Sequence, residues 1–398
     1  MFNALLQNQI QKSLEGLPVS VSWNGERLAG DEDARVSILI KDAKVLTILA
    51  KPTLGGLARA YVEGWVDLHG SAQDILSLGQ AYCGADASSD AETRKDWRWW
   101  RHTRSRDRRN INYHYDVSND FYGLWLDQRR VYSCAYFADG DESLERAQEK
   151  KLDHICRKLM LKPGERFLDI GCGWGGLVMH AVEHYGVKAV GITLSDNQYA
   201  HVQRLIEERG WQDRLEVRLM DYRDLPTNET FDKIASVGMF EHVGRKNLRL
   251  YFDKIYSLLN TGGLVMNHGI TSVAVKSSGL GNGIAEFIDN YVFPGGELTH
   301  VSKVLAELSL AGLEPLDAEN LRPHYGKTLW QWVERLERHR VQALAMIGER
   351  KYRIWRIYMA GSAFAFDHNW LALFQVVAGK PDVQGRLDYP FNRSHIYR

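Results

Sequence analysis

FLDIGCGWGG, residues 167–176, is where the reading of this chain turns. Phe167 to Ile170 predicts a short buried strand. Gly171, Gly173 and Gly175 then turn the chain tightly into an apolar helix, LVMHAVEHYG. A strand, a glycine loop and a helix bring bare backbone close to a ligand. Asp169, at the strand's end, can accept from backbone amides or from a ligand amino group. Such a loop serves NAD domains and methyltransferases alike, so its neighbours must separate the two.

Downstream, strand and helix patterns alternate. Strands are expected at 187–194, 215–221, 231–240 and 264–270, and helices at 196–210 and 247–259. This alternation predicts an α/β, doubly wound, Rossmann-like parallel sheet with its ligand outside the carboxyl ends of the strands. Residues 271–360 interrupt the pattern with the glycines Gly279, Gly281 and Gly283, the turn FPGGELTH and two amphipathic helices, 301–312 and about 328–348. Residues 364–380 read as a closing strand or a short helix and strand, and the last residues as loose.

An NAD site wants an acid about 20 residues beyond the glycines. That strand instead ends Ile192–Thr193–Leu194–Ser195, and polar groups gather at Thr193, Ser195, Asn197 and Gln198. NAD is disfavoured, though not excluded. Asp221–Tyr222 ends the next strand and offers a carboxylate for an adenine amine and a ring to stack on it. S-adenosylmethionine (SAM) carries no pyrophosphate, so the glycine loop would meet a ribose and a zwitterionic methionine. The residues favour a SAM-dependent methyltransferase.

Upstream, residues 1–85 read as a small N-terminal α+β domain. It has a helix over 1 to about 16, alternating strands at 19–23 and 36–40, a β-like run at 45–49, a strand within 61–68 and a helix at 71–82. Residues 86–109 form a linker. Within it, 94–109 hold eight Lys or Arg against two Asp, interleaved with Trp97, Trp99 and Trp100. Such a segment suits an anionic membrane surface, where each basic residue gains about 1 kcal/mol; a solvated linker is the plainer alternative. The catalytic domain is expected over 110–390. Lys+Arg and Asp+Glu are both 50 in 398 residues, so the overall charge does not suggest a nucleic-acid partner. Cys83, Cys134, Cys156 and Cys172 show no metal spacing, which suits a reduced, cytoplasmic setting. No run is long enough to span a bilayer.

VYSCAYF, FLDIGCGWG, GITLSDNQ, FEHVG, FPGGELT and PHYGKTL, in that order over about 110–380, resemble the motifs of the cyclopropane-fatty-acyl-phospholipid synthases, which include the mycolic acid cyclopropane synthases. The resemblance implies a class I SAM methyltransferase that adds the methyl carbon of SAM across a cis double bond of an unsaturated membrane phospholipid. A bound bicarbonate would act as general base. It assigns that ion to Cys134, Glu241, His268, Ile270 and Tyr325, with Cys134 and Ile270 contributing mainly backbone. It assigns SAM to Tyr132, Ser133, Asp169, Gly171, Gly173, Thr193, Leu194, Gln198 and Tyr222. Mycolic-type sequences carry Trp–Glu where this chain has Tyr222–Arg223, so Asp221 is taken as the compensating acid. A peripheral homodimer on the inner membrane face is expected. Cys172 reads as a structural thiol, and His154, His180 and His300 as structural histidines. Phe240, Phe287, Tyr291, Phe293, Phe364 and Phe366 read as an acyl tunnel or as core. A same-family enzyme that leaves methyl or methylene branches is the near alternative. A lipid-binding protein without catalysis is the distant one.

Overall fold

The computed structural model describes residues 8, 10–12, 14–30, 33–84, 117–275, 280–294 and 296–397. The basic stretch 94–109, most of the expected N-terminal helix, Gly279 and Gly295 lie outside them. The chain forms two compact units. The first joins Met1–Lys95 to Ser277–Pro294 and Leu329–Trp370, and the second holds the rest. The sequence instead placed 110–390 in one domain.

The first unit is built on four strands, β1 (Val19–Trp23), β2 (Glu26–Gly30), β3 (Val36–Ile40) and β4 (Val66–His69), in the order β2-β1-β3-β4. Strand β2 was not anticipated. Its signal was the Asn24–Gly25 pair, whose φ values of 51° and 83° make the two-residue turn that a hairpin's twist favours. The 45–49 run is not a strand but helix α1 (Val45–Ala50), with Val45, Leu46 and Leu49 buried along one face. A six-residue apolar run fits either period, and tertiary burial chose the helix. Helix α2 (Leu54–Val62) takes the first two residues of the strand expected at 61–68, and β4 begins only at Val66. Helix α3 (Ala72–Cys83) runs as expected.

One residue ties the distant segments of this unit together. Arg353, on the helix Arg340–Asp367, donates to the carbonyls of Tyr61 at 2.9 Å and Val66 at 3.0 Å, and meets Asp67 at 2.5 Å. It is 8% exposed. Arg353→Met should cost this unit about 3 kcal/mol, because two carbonyls and a carboxylate lose their buried donor. Denaturant unfolding checks this, and an unchanged midpoint would remove Arg353 from the account.

The second unit carries α4 (Asn119–Gly123), α5 (Leu144–Lys158), β5 (Arg166–Ile170), α6 (Gly176–Tyr185), β6 (Lys188–Thr193), α7 (Asp196–Arg209), β7 (Leu215–Leu219), β8 (Phe231–Val237), α8 (Leu248–Leu258), β9 (Leu259–Ser272), α9 (Val301–Leu310), β10 (Glu314–Asn320), the first turns of α10 (Arg322–Arg338) and β11 (Leu371–Gly379). The seven strands lie in the order β10-β11-β9-β8-β5-β6-β7. From β9 to β7 all neighbours are parallel, while β11 is antiparallel to both β9 and β10. The expectation of a wholly parallel sheet is therefore corrected at this edge. Strand β10, EPLDAEN, escaped notice because its exposed polar residues break the alternation. Both faces of the sheet are covered. Along β5, Phe167 enters one core cluster while Leu168 and Ile170 enter the other. Strand order reverses about β5, so a crevice opens at its carboxyl end. The expected loose tail is pinned: Arg393 meets Asp317 at 2.5 Å, and Ile396 is buried.

Candidate active site

The crevice at β5 is a cavity of about 150 Å³. Its floor is the glycine loop. Gly171, Gly173 and Gly175 have φ of 85°, 56° and 85°, a conformation that side chains disfavour. The amides of Gly171 and Cys172 reach Ile192 O at 3.0 and 2.9 Å, which pins the loop to the end of β6. Tyr132, Ser133, Asp169, Gly171, Gly173, Thr193, Leu194, Gln198 and Tyr222 all line this cavity. Thr193 Oγ1 donates to Gln198 Oε1 at 2.7 Å and accepts from the Ser195 amide at 3.1 Å. Ser195 in turn accepts from the Gln198 amide at 3.4 Å, at the start of α7.

Asp221 does not line the cavity. Its carboxylate accepts from the Arg223 amide at 2.9 Å and from the Arg223 guanidinium at 2.8 and 2.6 Å. Arg223, which follows Tyr222, thus takes up the acid that was assigned to the adenine.

Asp169 is 2% exposed, and its Oδ1 has no hydrogen-bond partner. Burial pushes its carboxyl up to about 7, and the charge of Lys151 pulls it back only in part. Lys151, on α5, is also on the cavity wall and 1% exposed, with Nζ 3.0 Å from Ser133 Oγ. Burial pulls its ammonium down to about 8, while the charge of Asp127 works the other way.

A second buried cluster lies at the carboxyl ends of β8 and β9. Glu241 sits in the 3-10 turn Phe240–His242, and its Oε1 accepts from the Ile270 amide at 2.7 Å. Its Oε2 is buried with no partner, and burial raises the carboxyl to about 7. His268 pairs with Val237 on one side and Gln375 on the other. Gln375 Nε2 lies 3.1 Å from its Nδ1, and its Nε2 is buried without a partner. Burial drives this imidazole well below its usual range, so it is neutral. Tyr325 and Cys134 converge through one carbonyl, Leu321 O, which accepts from the Tyr325 amide at 3.1 Å and lies 3.9 Å from Cys134 Sγ. The Leu321 amide bonds Leu373 O, and Leu373 pairs with Ile270. Backbone bonds through Leu321 and Leu373 thus connect the Cys134 thiol and the Tyr325 amide to strand β9, which carries His268 and Ile270. The Ile270 amide is taken by Glu241.

Residues 102–376 match the model of the mycolic acid cyclopropane synthetases. The chain belongs to that family. A probable fatty acid methyltransferase of Pseudomonas putida is 45% identical over 376 residues, covering 94% of this chain and 95% of that relative. A second probable fatty acid methyltransferase, from Mycobacterium tuberculosis, is 39% identical over 388 residues, covering 90% of each. A mycolic acid cyclopropane synthase solved with SAH and CTAB superposes with a TM-score of 0.65 at 36% identity, over 69% of this chain and 98% of that one. The chain is a SAM-dependent methyltransferase of lipid chains, with the class I sheet. The cavity suits that cofactor: a buried carboxylate oxygen without a partner and a buried ammonium match a zwitterion.

Three residues of the site had not been singled out. In the sequence Lys151 is one more charge within LERAQEKKLD, Gln375 a polar residue within LALFQVVAG, and Gly269 a glycine within an apolar run. Cys172 is a buried thiol raised well above its usual range. His300 caps α9 by accepting from the Ser302 amide at 3.2 Å, and His154 meets Glu319 at 2.7 Å. Of the aromatics named for a tunnel, Phe240 packs in a core cluster of this unit, whereas Phe287, Tyr291, Phe293, Phe364 and Phe366 belong to the other unit.

Proposed function

We propose that this methyltransferase builds a cyclopropane ring on the cis double bond of an unsaturated acyl chain of a membrane phospholipid. The observation that carries this is the pair of orphaned buried atoms, Glu241 Oε2 and His268 Nε2. A site that keeps two such polar groups away from water is prepared for a small polar guest, since leaving them unmade costs about 1–3 kcal/mol each. Bicarbonate suits these groups, with His268 as a neutral donor and Glu241 able to donate or accept near its raised pKa. Bound there, bicarbonate supplies a base for the proton that ring closure releases. SAM supplies an electrophilic methyl group on a sulfonium.

The chain's own residues hold the geometry and keep out water. An unactivated alkene is a weak nucleophile, so alignment carries much of the rate. Asp169 and the glycine loop hold the cofactor's polar end. Ile270 and Gln375 fix Glu241 and His268 in place. We read the protein as a peripheral homodimer on the cytoplasmic membrane face. The basic, Trp-bearing residues 94–109 support contact with anionic headgroups, and no described helix is long and apolar enough to cross a membrane.

A second reading has a specific observation behind it. The relatives matched over nearly the whole chain are named fatty acid methyltransferases. Proton loss from a chain carbon would leave a methyl-branched alkene, and a 1,2-hydride shift before proton loss from the new methyl group would leave a methylene branch. Incubation with SAM and vesicles of monounsaturated phospholipid should give acyl chains one methylene unit heavier, with the ring's upfield protons by NMR. Vinylic or branched-methyl signals would favour the second reading. An unaltered lipid would overturn both.

A further inference from the structure

We propose that Lys151 binds the α-carboxylate of the cofactor's methionine moiety, opposite Asp169, which takes the α-amino group. The inference rests on the cavity being the SAM site.

Lys151 is 1% exposed and stands on the cavity wall. Among the described residues its ammonium makes one hydrogen bond, to Ser133 Oγ at 3.0 Å, and no carboxylate lies within ion-pairing distance. An ammonium has three donors, so this one keeps donors in hand. A buried charge with no opposite charge in contact is costly unless something else meets it. Lys158, buried on the same helix, shows the ordinary solution, with Glu319 at 2.5 Å and Asp317 at 3.5 Å. Lys151 lacks such a partner.

Asp169 poses the mirror problem on the same wall. It is buried, and its Oδ1 is without a partner. The two charges sense each other, since Lys151 pulls the Asp169 carboxyl down against burial. They are nevertheless not in contact as an ion pair. One buried cation and one buried anion, close but held apart, form a template for a ligand bearing both charges on adjacent groups. The amino-acid end of SAM is such a ligand, and its carboxylate answers the charge that the chain leaves unmet. The Ser133 hydroxyl, already bonded to Lys151, completes the carboxylate's side of the subsite.

The alternative is that Lys151 merely braces the 131–133 loop through Ser133. The two roles separate by removing one group from the ligand. Calorimetry should compare S-adenosylhomocysteine with its decarboxylated analogue, on the wild-type protein and on Lys151→Met. Wild type should prefer the carboxylate-bearing ligand by on the order of ten- to a hundredfold. Lys151→Met should lose that preference, binding S-adenosylhomocysteine as weakly as the analogue and leaving the analogue's affinity unchanged. A variant that keeps the wild-type preference, or weakens both ligands equally, would overturn the proposal. If Lys151→Met does not fold, a crystal structure of the wild type with S-adenosylhomocysteine decides: Nζ within hydrogen-bonding distance of the carboxylate is expected, and a carboxylate beyond reach of Nζ refutes it. A wild-type protein that binds neither ligand would instead refute the SAM reading itself.

Discussion

Glu241→Gln should abolish turnover while leaving S-adenosylhomocysteine affinity close to that of the wild type. The amide keeps the side chain's shape, and its oxygen can still accept from the Ile270 amide, now 2.7 Å from Oε1. It can neither take up nor release a proton. If the anion site must pass on the proton of ring closure, kcat should fall by about 10²–10⁴-fold, the usual worth of a positioned acid or base. Glu241 does not line the cofactor cavity, so binding there should hold.

The same substitution should stabilise the protein at alkaline pH. Burial raises the Glu241 carboxyl from 4.5 to about 7 in the folded state. The folded chain therefore holds this proton more tightly than the unfolded chain. Its stabilising contribution is complete below 4.5 and is lost as the pH climbs through about 7. At pH 8 the wild type keeps a buried, half-satisfied carboxylate, which the amide replaces without charge. Glu241→Gln should then gain about 2–3 kcal/mol at pH 8 and little below pH 4.5. Denaturant unfolding at the two pH values, beside steady-state kinetics, tests both halves. Full turnover, or loss of cofactor affinity in step with kcat, would move Glu241 out of the proton's path.

Gly269→Ala should cut turnover about 100-fold. A Cβ on Gly269 would stand 2.1 Å from Phe240 Cε1, 2.5 Å from its Cδ1 and 2.9 Å from Glu241 Oε1. None is a tolerable separation, so the Phe240–His242 turn must shift by about 1 Å or more, a displacement of the size that can cost two orders of magnitude in rate. Overpacking should also cost about 1–3 kcal/mol. The measurement is kcat together with S-adenosylhomocysteine affinity on folded protein. Near-normal kcat would show that the turn tolerates the methyl group and that the tight packing beneath Glu241 is incidental.

Gly269 marks the boundary between what could be read and what could not. In the sequence it is one glycine within LVMNHGI, with no turn residue beside it. Its φ is not left-handed, so even its backbone conformation gives no hint. Only the approach of the Phe240 ring from another strand's end demands it. The loop glycines are the opposite case. Gly171, Gly173 and Gly175 alternate after an apolar strand and before an apolar helix, and their positive φ follows from that local arrangement. Tyr132, Asp169 and Gln198 were legible as site residues through motifs and then met on one cavity wall. Asp221 was legible as an acid, but not its engagement with Arg223 two residues on.

The sequence by itself determined the strand–loop–helix at Phe167–Tyr185, the alternation of strands and helices around it and the six motifs, because each depends on backbone conformation and hydrophobic period over neighbouring residues. The tertiary structure alone decided that β11 runs against its neighbours, that distant segments join the N-terminal strands in one unit, and that Lys151, Gln375 and Gly269 stand at the site. Those outcomes depend on which distant surfaces share a buried volume, and there a charge without a partner or a missing methyl group gains its meaning only from what lies across the gap.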